Sequence, residues 1–462
     1  MAKPDKGHDY TVHVRVVTWN LLSPALVKIH RTSAEYAPYE PCRRLMRIKD
    51  ALCEEMSHPS IICLQEVCRD WIGELHVLFA AHQYYFVMSD YGSPSTGYMG
   101  VGIAYPMNTY RMVDVTIERV VDTKAGGWYP GGSLTPPKVK PFGAKGNTPA
   151  AYNAWMGWPF VSMYRIGTYA MNLLLSNLQK VKGFLPWPKI QDASRSDAIV
   201  KRLPKDEDPW PLVSKRYNTL VALTLRPLWL ASNDECGFTV VTYHMPCQFD
   251  CPAAMTIHTS LLLQAVQRID DREYPIILAG DFNFQPSSHQ YSLVVNGKIS
   301  PDAVAHAPGD EAVDGKRAYP SAPLYPGDPF EVNAKSLVPM TDAYDPDYHF
   351  NLTEQPRRMG KMPKFTNLAE VDDNAKDAPA GKKKRFQAVL DYIFFCDGSE
   401  HGIITSCNTD DLSEQCSNIL NSGSDSLPYL GFPSDHLKVG ANIGIRWNIQ
   451  NNSGSNKSEG ND

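Results

Sequence analysis

Tyr274–Asn283 reads YPIILAGDFN, an apolar run that ends abruptly in a glycine, an acid and an amide. A run this short, rich in Ile and Leu and closed by turn formers, predicts a strand buried on both faces. Its polar residues then stand at the strand's end. In the extended Asp-Phe-Asn segment, alternation puts Asp281 and Asn283 on one side and turns Phe282 to the core.

Outward from this stretch the same grammar recurs. Val12–Trp19 (VHVRVVTW), Ser60–Leu64 (SIICL), Phe238–Tyr243 (FTVVTY) and Ala388–Cys396 (AVLDYIFFC) read as strands. Short polar motifs sit at or within them: TWN at Thr18–Asn20, LQE at Leu64–Glu66 and LDY at Leu390–Tyr392, with SDH at Ser434–His436 further on. Polar groups at strand ends facing one rim make an active site. Cys42–Met56 places Leu45, Ile48, Leu52 and Met56 at helical spacing, and Ala253–Ile269 repeats the pattern with Met255, Leu262, Leu263 and Val266. Helices alternate with strands, but enough strands follow one another directly to favour two sheets packed face to face with helices outside.

The chain of 462 residues, 43% hydrophobic and 21% charged, supplies a large core and would allow two or three domains. We read one catalytic domain over residues 10–448, with an insert at about 122–215, a surface loop at about 296–339 and a disordered polar tail at 449–462. A net charge of -5 excludes a global basic footprint for nucleic acid, though not a local basic groove. No secretory signal opens the sequence and no apolar stretch is long enough to span a bilayer, so an intracellular protein, cytoplasmic or nuclear and not secreted, is expected. In that compartment the 10 cysteines are expected as free thiols. The sequons at Asn351, Asn451 and Asn456 then carry no meaning. The spacing of Cys247 and Cys251 is a poor match to structural zinc sites.

The chemistry follows from residue types. Asn20 and Glu66 at strand ends supply hard oxygen donors of the kind that hold Mg²⁺. Asp281 and Asn283 present one carboxylate and one amide together. His436 is a protonatable imidazole that either Asp391 or Asp435 could orient, and His244, just past its strand, is a second. Such a set suits hydrolysis of a phosphoester, where charge on phosphoryl oxygens must be neutralised and a water aligned.

In order and content these motifs resemble the endonuclease/exonuclease/phosphatase superfamily, over about Thr18 to Ile445. The resemblance implies a deoxyribonuclease I-like α/β fold, a four-layered sandwich of two packed mixed β-sheets flanked by helices. Within the superfamily the chain most resembles the deadenylase branch: the carbon catabolite repression deadenylases, nocturnin, Angel and the 2′-phosphodiesterases. It carries Thr341-Asp342-Ala343-Tyr344, then Phe365-Thr366-Asn367, then Phe386 five positions before Asp391, and closes on Pro433-Ser434-Asp435-His436. The resemblance implies that Glu66, with Asn20 nearby, binds one Mg²⁺. It implies further that Asp281, Asn283 and His436 hold or face a second ion and the attacking water, and that His244 stabilises the scissile phosphate. One or two ions fit this pattern, with Mn²⁺ as the substitute. Asp391 and Asp435 would support His436, while Phe386 and Asn367 would contact the substrate, Phe386 by stacking on a base; its alternative reading is a core aromatic. The implied activity is 3′-to-5′ exoribonuclease action on single-stranded RNA, poly(A) among its candidates. The rival is phosphoester cleavage on a small nucleotide carrying a 2′-phosphate or on a phospholipid such as sphingomyelin. A protein that merely binds RNA is the alternative of another class, against which the intact acidic set argues. The sequence points to no protein partner.

The chain departs from the branch in places. Glu370–Arg385 (EVDDNAKDAPAGKKKR) is inserted between FTN and LDYIF, and its Lys382–Arg385 end reads as a nuclear signal, a phosphate-binding patch or a solvated loop. After His244 the segment reads MPCQFDCP, where the branch usually keeps an aromatic and a proline that help sandwich the base; Pro246 and Pro252 are both displaced candidates. The 122–215 insert is rich in Gly, Pro and Trp around an apolar helix candidate, Tyr164–Leu178. It reads as a helix packed under long loops, as a lid over the substrate, or, less favoured, as a peripheral membrane contact.

Overall fold

The apolar runs become strands of two six-stranded sheets. The first has the order β13 (Ile403–Thr409), β14 (Val439–Trp447), β1 (Tyr10–Asn20), β2 (Ile61–Val67), β4 (Gly100–Pro106), β3 (Tyr84–Asp90). The second runs β5 (Tyr110–Arg119), β6 (Thr219–Pro227), β7 (Phe238–His244), β8 (Ile276–Asp281), β12 (Asp391–Cys396), β9 (Thr341–Asp342). The computed structural model describes residues 10–30, 40–93, 96–129, 132–133, 208–230, 236–269, 274–299, 319–320, 323–345, 362–372, 383–398, 401–421 and 432–447. They belong to the compact unit Met1–Thr135 with Asp208–Asp462. The Tyr164–Leu178 helix candidate, the sequons and the 449–462 tail lie outside the described residues.

Each sheet is mixed: β1 with β2, and β7 with β8, run parallel, and the other pairings are antiparallel. One apolar layer joins the inner faces, with Val14, Val16, Ile61 and Ile443 from the first sheet meeting Val221, Leu223, Val240, Ile277 and Ile393 from the second. The helices α1 (Pro24–His30), α2 (Glu40–Met56) and α3 (Arg69–Ala81) follow β1 and β2. Ile48 and Leu52 of α2 and Leu75 and Phe79 of α3 cover the first sheet's outer face over Ile62 and Leu64. After α4 (Trp210–Ser214) come α5 (Pro252–Ile269) and α6 (His289–Asn296), whose Leu261, Leu262 and Leu293 cover Val241 and Leu278 on the other side. A last helix, α7 (Ser413–Asn421), precedes β14. The result is helix, sheet, sheet, helix, the four-layered α/β architecture expected. No described helix is long and apolar enough to cross a membrane.

Three expectations need correction. Ala388–Cys396 is not one strand: the chain ends β11 (Lys383–Ala388), which pairs with β10 (Asn367–Asp372) in a separate two-stranded ribbon, and re-enters the second sheet only at Asp391. Thr366 makes the break, its hydroxyl accepting from Leu390 N at 2.9 Å and Asp391 N at 3.1 Å. The 296–339 loop is not all surface, because Phe330, Val332 and Leu337 are buried against α5 and α6. Both ends of the 122–215 insert also belong to the core: Trp128 and Trp210 meet edge to face over the buried Lys124, whose ammonium donates to Asp328 Oδ1 at 2.7 Å and Gly127 O at 2.9 Å. A buried cation is tolerated only when paired in this way.

A buried carboxylate ties the rim segments together. Glu55 of α2, 4% exposed, accepts from Arg15 Nε of β1 at 2.6 Å, Ser60 Oγ at 2.6 Å and Lys438 Nζ at 2.7 Å, two residues past His436. Burial alone would raise its pKa; the hydrogen bonds from Arg15, Lys438 and Ser60 outweigh it and hold the carboxyl down at about 2. A depressed folded-state pKa contributes stability that is present above the ordinary carboxylate range and lost as pH falls toward 2. Glu55→Gln is therefore expected to cost about 2–3 kcal/mol at neutral pH. In urea titrations the gap between wild type and variant should hold above about pH 5 and close on acidification. A gap that stays constant down to pH 2 would contradict this reading.

Candidate active site

Strand register brings the motifs to one rim. In the second sheet Asp281 lies between His244 on β7 and Asp391 on β12, three residues in a row across adjacent strands. A Cβ on Gly280 would sit 2.0 Å from Tyr243 O, so the glycine of GDFN is what lets β7 and β8 approach here. In the first sheet, Asn20 ends β1 beside Gln65 of β2. A register shift between Leu64 and Val67, with Glu66 at φ 55°, re-aims the Glu66 side chain. Such a backbone costs about 1–3 kcal/mol for a non-glycine residue and marks functional sites.

Asp281 Oδ2 is the hub. Asn20 Nδ2 donates to it at 2.9 Å, His244 Nε2 lies 3.4 Å away and His436 Nε2 3.6 Å away. The Asn20 amide also donates to Glu66 Oε1 at 3.2 Å, so one side chain links carboxylates from the two sheets. As placed, the nitrogen of Asn20 faces the acids, and its Oδ1 accepts from Leu22 N at 2.9 Å. Glu66 Oε2 accepts from Ser23 N at 2.7 Å. Asp281 Oδ1 accepts from Asn283 N at 3.0 Å, and the Asn283 amide donates to Met245 O at 2.8 Å, pinning the chain past His244. Phe282 is fully buried, as its alternation requires.

The two imidazoles are held differently. His436 Nδ1 lies 2.8 Å from Asp391 Oδ2, which also accepts from Thr366 Oγ1 at 2.6 Å. The choice between Asp391 and Asp435 thus falls on Asp391; Asp435 Oδ1 stands 4.0 Å from the other ring nitrogen. Burial works against the imidazolium of His436, but Asp391, Asp281 and Asp435 outweigh it and push its pKa upward. His244 Nδ1 meets the Tyr91 hydroxyl at 2.9 Å. If that hydroxyl donates, Nε2 carries the proton and points at Asp281. Tyr91 and Thr366 are the orienting residues that motif reading did not assign; Thr366 lay inside the FTN element, whereas nothing local marks Tyr91.

Behind the rim, Arg44 donates to Pro433 O at 2.6 Å and Leu21 O at 2.7 Å, and Ser434 Oγ donates to Asn20 O at 2.6 Å. These bonds fasten the SDH segment to the end of β1. Asn367 is buried and bridges His436 through the backbone. Phe386 lies further out on the ribbon, half-buried, its ring 5.9 Å from that of Phe249.

The residues present suit a divalent cation. Among the described residues Asp281, Asp391 and His436 bring ligand-type atoms within 4.8 Å of one another, all buried, and Asp391 Oδ1 has no hydrogen-bond partner. Burial pushes the Glu66 carboxyl up, only partly offset by His244. Three buried acids gathered here form the hard-oxygen set that Mg²⁺ prefers. None of the ten cysteines forms a disulfide, and burial pushes the Cys63 thiol up to about 12, so zinc through Cys63 finds no support.

No family model and no curated protein matches the chain. Among solved structures it is similar to the 2′,3′-cyclic phosphatase ANGEL2 in complex with adenosine-2′,3′-vanadate, with TM-score 0.52 and 16% identity over 97% of this chain and 100% of that one. A second ANGEL2 structure gives TM-score 0.51 and 16% identity over 95% of this chain and 96% of that one. The human Nocturnin catalytic domain with bound sulfate anion gives TM-score 0.45 and 15% identity over 95% and 97%. At such identities the likeness is one of fold: two mixed sheets between helices.

Proposed function

We propose that this chain, which has the endonuclease/exonuclease/phosphatase fold, is a divalent-metal-dependent phosphoester hydrolase of that superfamily and acts as a 3′-to-5′ exoribonuclease of deadenylase type, releasing mononucleotides from single-stranded RNA. The observation that carries the reading is the convergence of Asn20, His244 and His436, from three separate segments, on the single oxygen Asp281 Oδ2. Donors focused on a buried carboxylate suit a reaction that must align a water and neutralise a phosphoryl group.

In this reading Glu66 and Asp281 would hold Mg²⁺ or Mn²⁺, with Asn20 fixing both carboxylates, and Asn283 would face a second ion where one binds. The ion supplies charge neutralisation at the phosphoryl oxygens. Asp281 Oδ2 orients the attacking water and draws on its proton. The His436 imidazolium, kept charged by Asp391, and the Nε2–H of His244, kept in place by Tyr91, donate to the phosphoryl oxygens as charge builds there. Asn367 and Phe386 meet the terminal nucleotide.

A second reading, phosphatase action on a nucleotide bearing a 2′- or 2′,3′-cyclic phosphate, draws support from the likeness to ANGEL2 along 97% of the chain. A substrate panel separates the two. With Mg²⁺, a 5′-labelled oligoadenylate should shorten one nucleotide at a time from its 3′ end, and chelation should stop it. Turnover confined to a cyclic-phosphate terminus or a dinucleotide 2′-phosphate would move the assignment to the second reading. Turnover of sphingomyelin vesicles alone would move it to a lipid. Inertness toward every phosphoester would end the hydrolase proposal.

A further inference from the structure

The basic run Lys382–Arg385 has no part in the chemistry above, yet it leads onto the ribbon that grows from the active-site rim. The ribbon's root is at the site: Asn367 bridges His436, and Leu368 N donates to Asp435 O at 2.9 Å. Its register sets Asn367 opposite Ala388, Ala369 opposite Phe386 and Val371 opposite Lys384. Residues directly opposite in an antiparallel pair share a face, and every second residue along a strand returns to it. Moving outward from His436, one face therefore carries Asn367, then Phe386, then Lys384, in steps of about 6.8 Å.

The cations of the ribbon are not equivalent. In the register Arg385 stands opposite Glu370 and Lys383 opposite Asp372, positions that alternate with the face carrying Phe386 and Lys384. Lys384 stands opposite Val371, is exposed, and makes no ion pair among the described residues. An aromatic ring followed at one strand repeat by an exposed cation, on a face that begins at the active site, is how single-stranded nucleic acid is gripped without sequence readout: a base on the ring, a phosphate on the charge.

We infer that Lys384 binds the phosphate of the next nucleotide in from the RNA terminus, while the terminal base lies on Phe386. The inference rests on the RNA reading above and extends it, making an oligonucleotide rather than a mononucleotide the substrate class. Lys384 is a binding residue that holds the strand and takes no part in bond cleavage.

The test is binding, so that it does not depend on turnover. Fluorescence anisotropy with a labelled, phosphorothioate-linked hexa-adenylate in Mg²⁺ buffer is expected to show Lys384→Gln raising Kd about tenfold at low salt, the size of one charge-assisted contact. The slope of log Kd against log salt should shrink by about 0.7, one phosphate on a single strand. Lys384→Arg should restore both. An unchanged Kd and slope in Lys384→Gln would overturn the inference even if the wild type degrades RNA. The expected loss of affinity and slope, in a protein that leaves RNA intact, would uphold the phosphate contact while removing the exonuclease reading.

Discussion

Asp281→Asn is expected to lower kcat on RNA by about 10³-fold or more while the protein stays folded. The substitution is nearly isosteric and keeps an oxygen at the Oδ1 position, so Asn283 N retains its acceptor and the turn after β8 stands. What changes is the oxygen to which Asn20, His244 and His436 all point. An amide there cannot take a proton, brings no charge to a cation, and offers an N–H to donors that need an acceptor. Removing one preorganised donor from an oxyanion site costs about 10²–10³ in rate, and the loss of a charged hub shared by several groups costs at least as much. Single-turnover assays with saturating enzyme measure the chemical step, and a melting curve within a few degrees of wild type shows that folding is intact. Retention of more than a tenth of the rate would remove Asp281 from the centre of the mechanism.

The sequence is a good guide where its pattern is local. Runs of Val, Ile and Leu give strands, and because β1 with β2 and β7 with β8 run parallel, the polar residues that end TWN, LQE, FTVVTYH and GDFN arrive at one rim. It is a poor guide where the deciding partner is remote. AVLDYIFFC looks like one strand, and only Thr366, 24 residues upstream of Leu390, breaks it by capping the amides of Leu390 and Asp391. Asp435 adjoins His436 in the chain, but Asp391, 45 positions away, makes the hydrogen bond. Tyr91 has no local sign of its bond to His244, 153 positions on. Phe330 and Leu337 lie in a stretch whose Pro, Gly and Asp content reads as surface, and they are buried because α5 and α6 leave an apolar face to cover. Local propensity places elements; which distant side chain satisfies a buried polar group is settled by packing.

The Asp391–His436 pair gives the second large effect. Asp391→Asn is expected to lower kcat by about 10²–10⁴-fold, since an amide either presents N–H to His436 Nδ1 or accepts from it without a full charge. Thr366 sharpens the defect. Its hydroxyl donates to Asp391 Oδ2 while accepting from two backbone amides, so an amide nitrogen turned toward it would leave two donors facing each other. The acids around the buried imidazole of His436 outweigh burial and favour its charged form. With the closest acid gone, burial counts for more and the ring gives up its proton at lower pH. If the imidazolium is the active form, the alkaline limb of the kcat profile must move to lower pH in Asp391→Asn, whereas a purely positional role would lower the whole profile without moving the limb. Thr366→Val separates the contributions: it removes the hydrogen bond to Asp391 Oδ2 and the acceptor of the Leu390 and Asp391 amides but leaves the charge, so its rate should fall less than that of Asp391→Asn and its alkaline limb should stay with the wild type. A limb that moves as far in Thr366→Val as in Asp391→Asn would mean that geometry, and not the carboxylate's charge, governs His436.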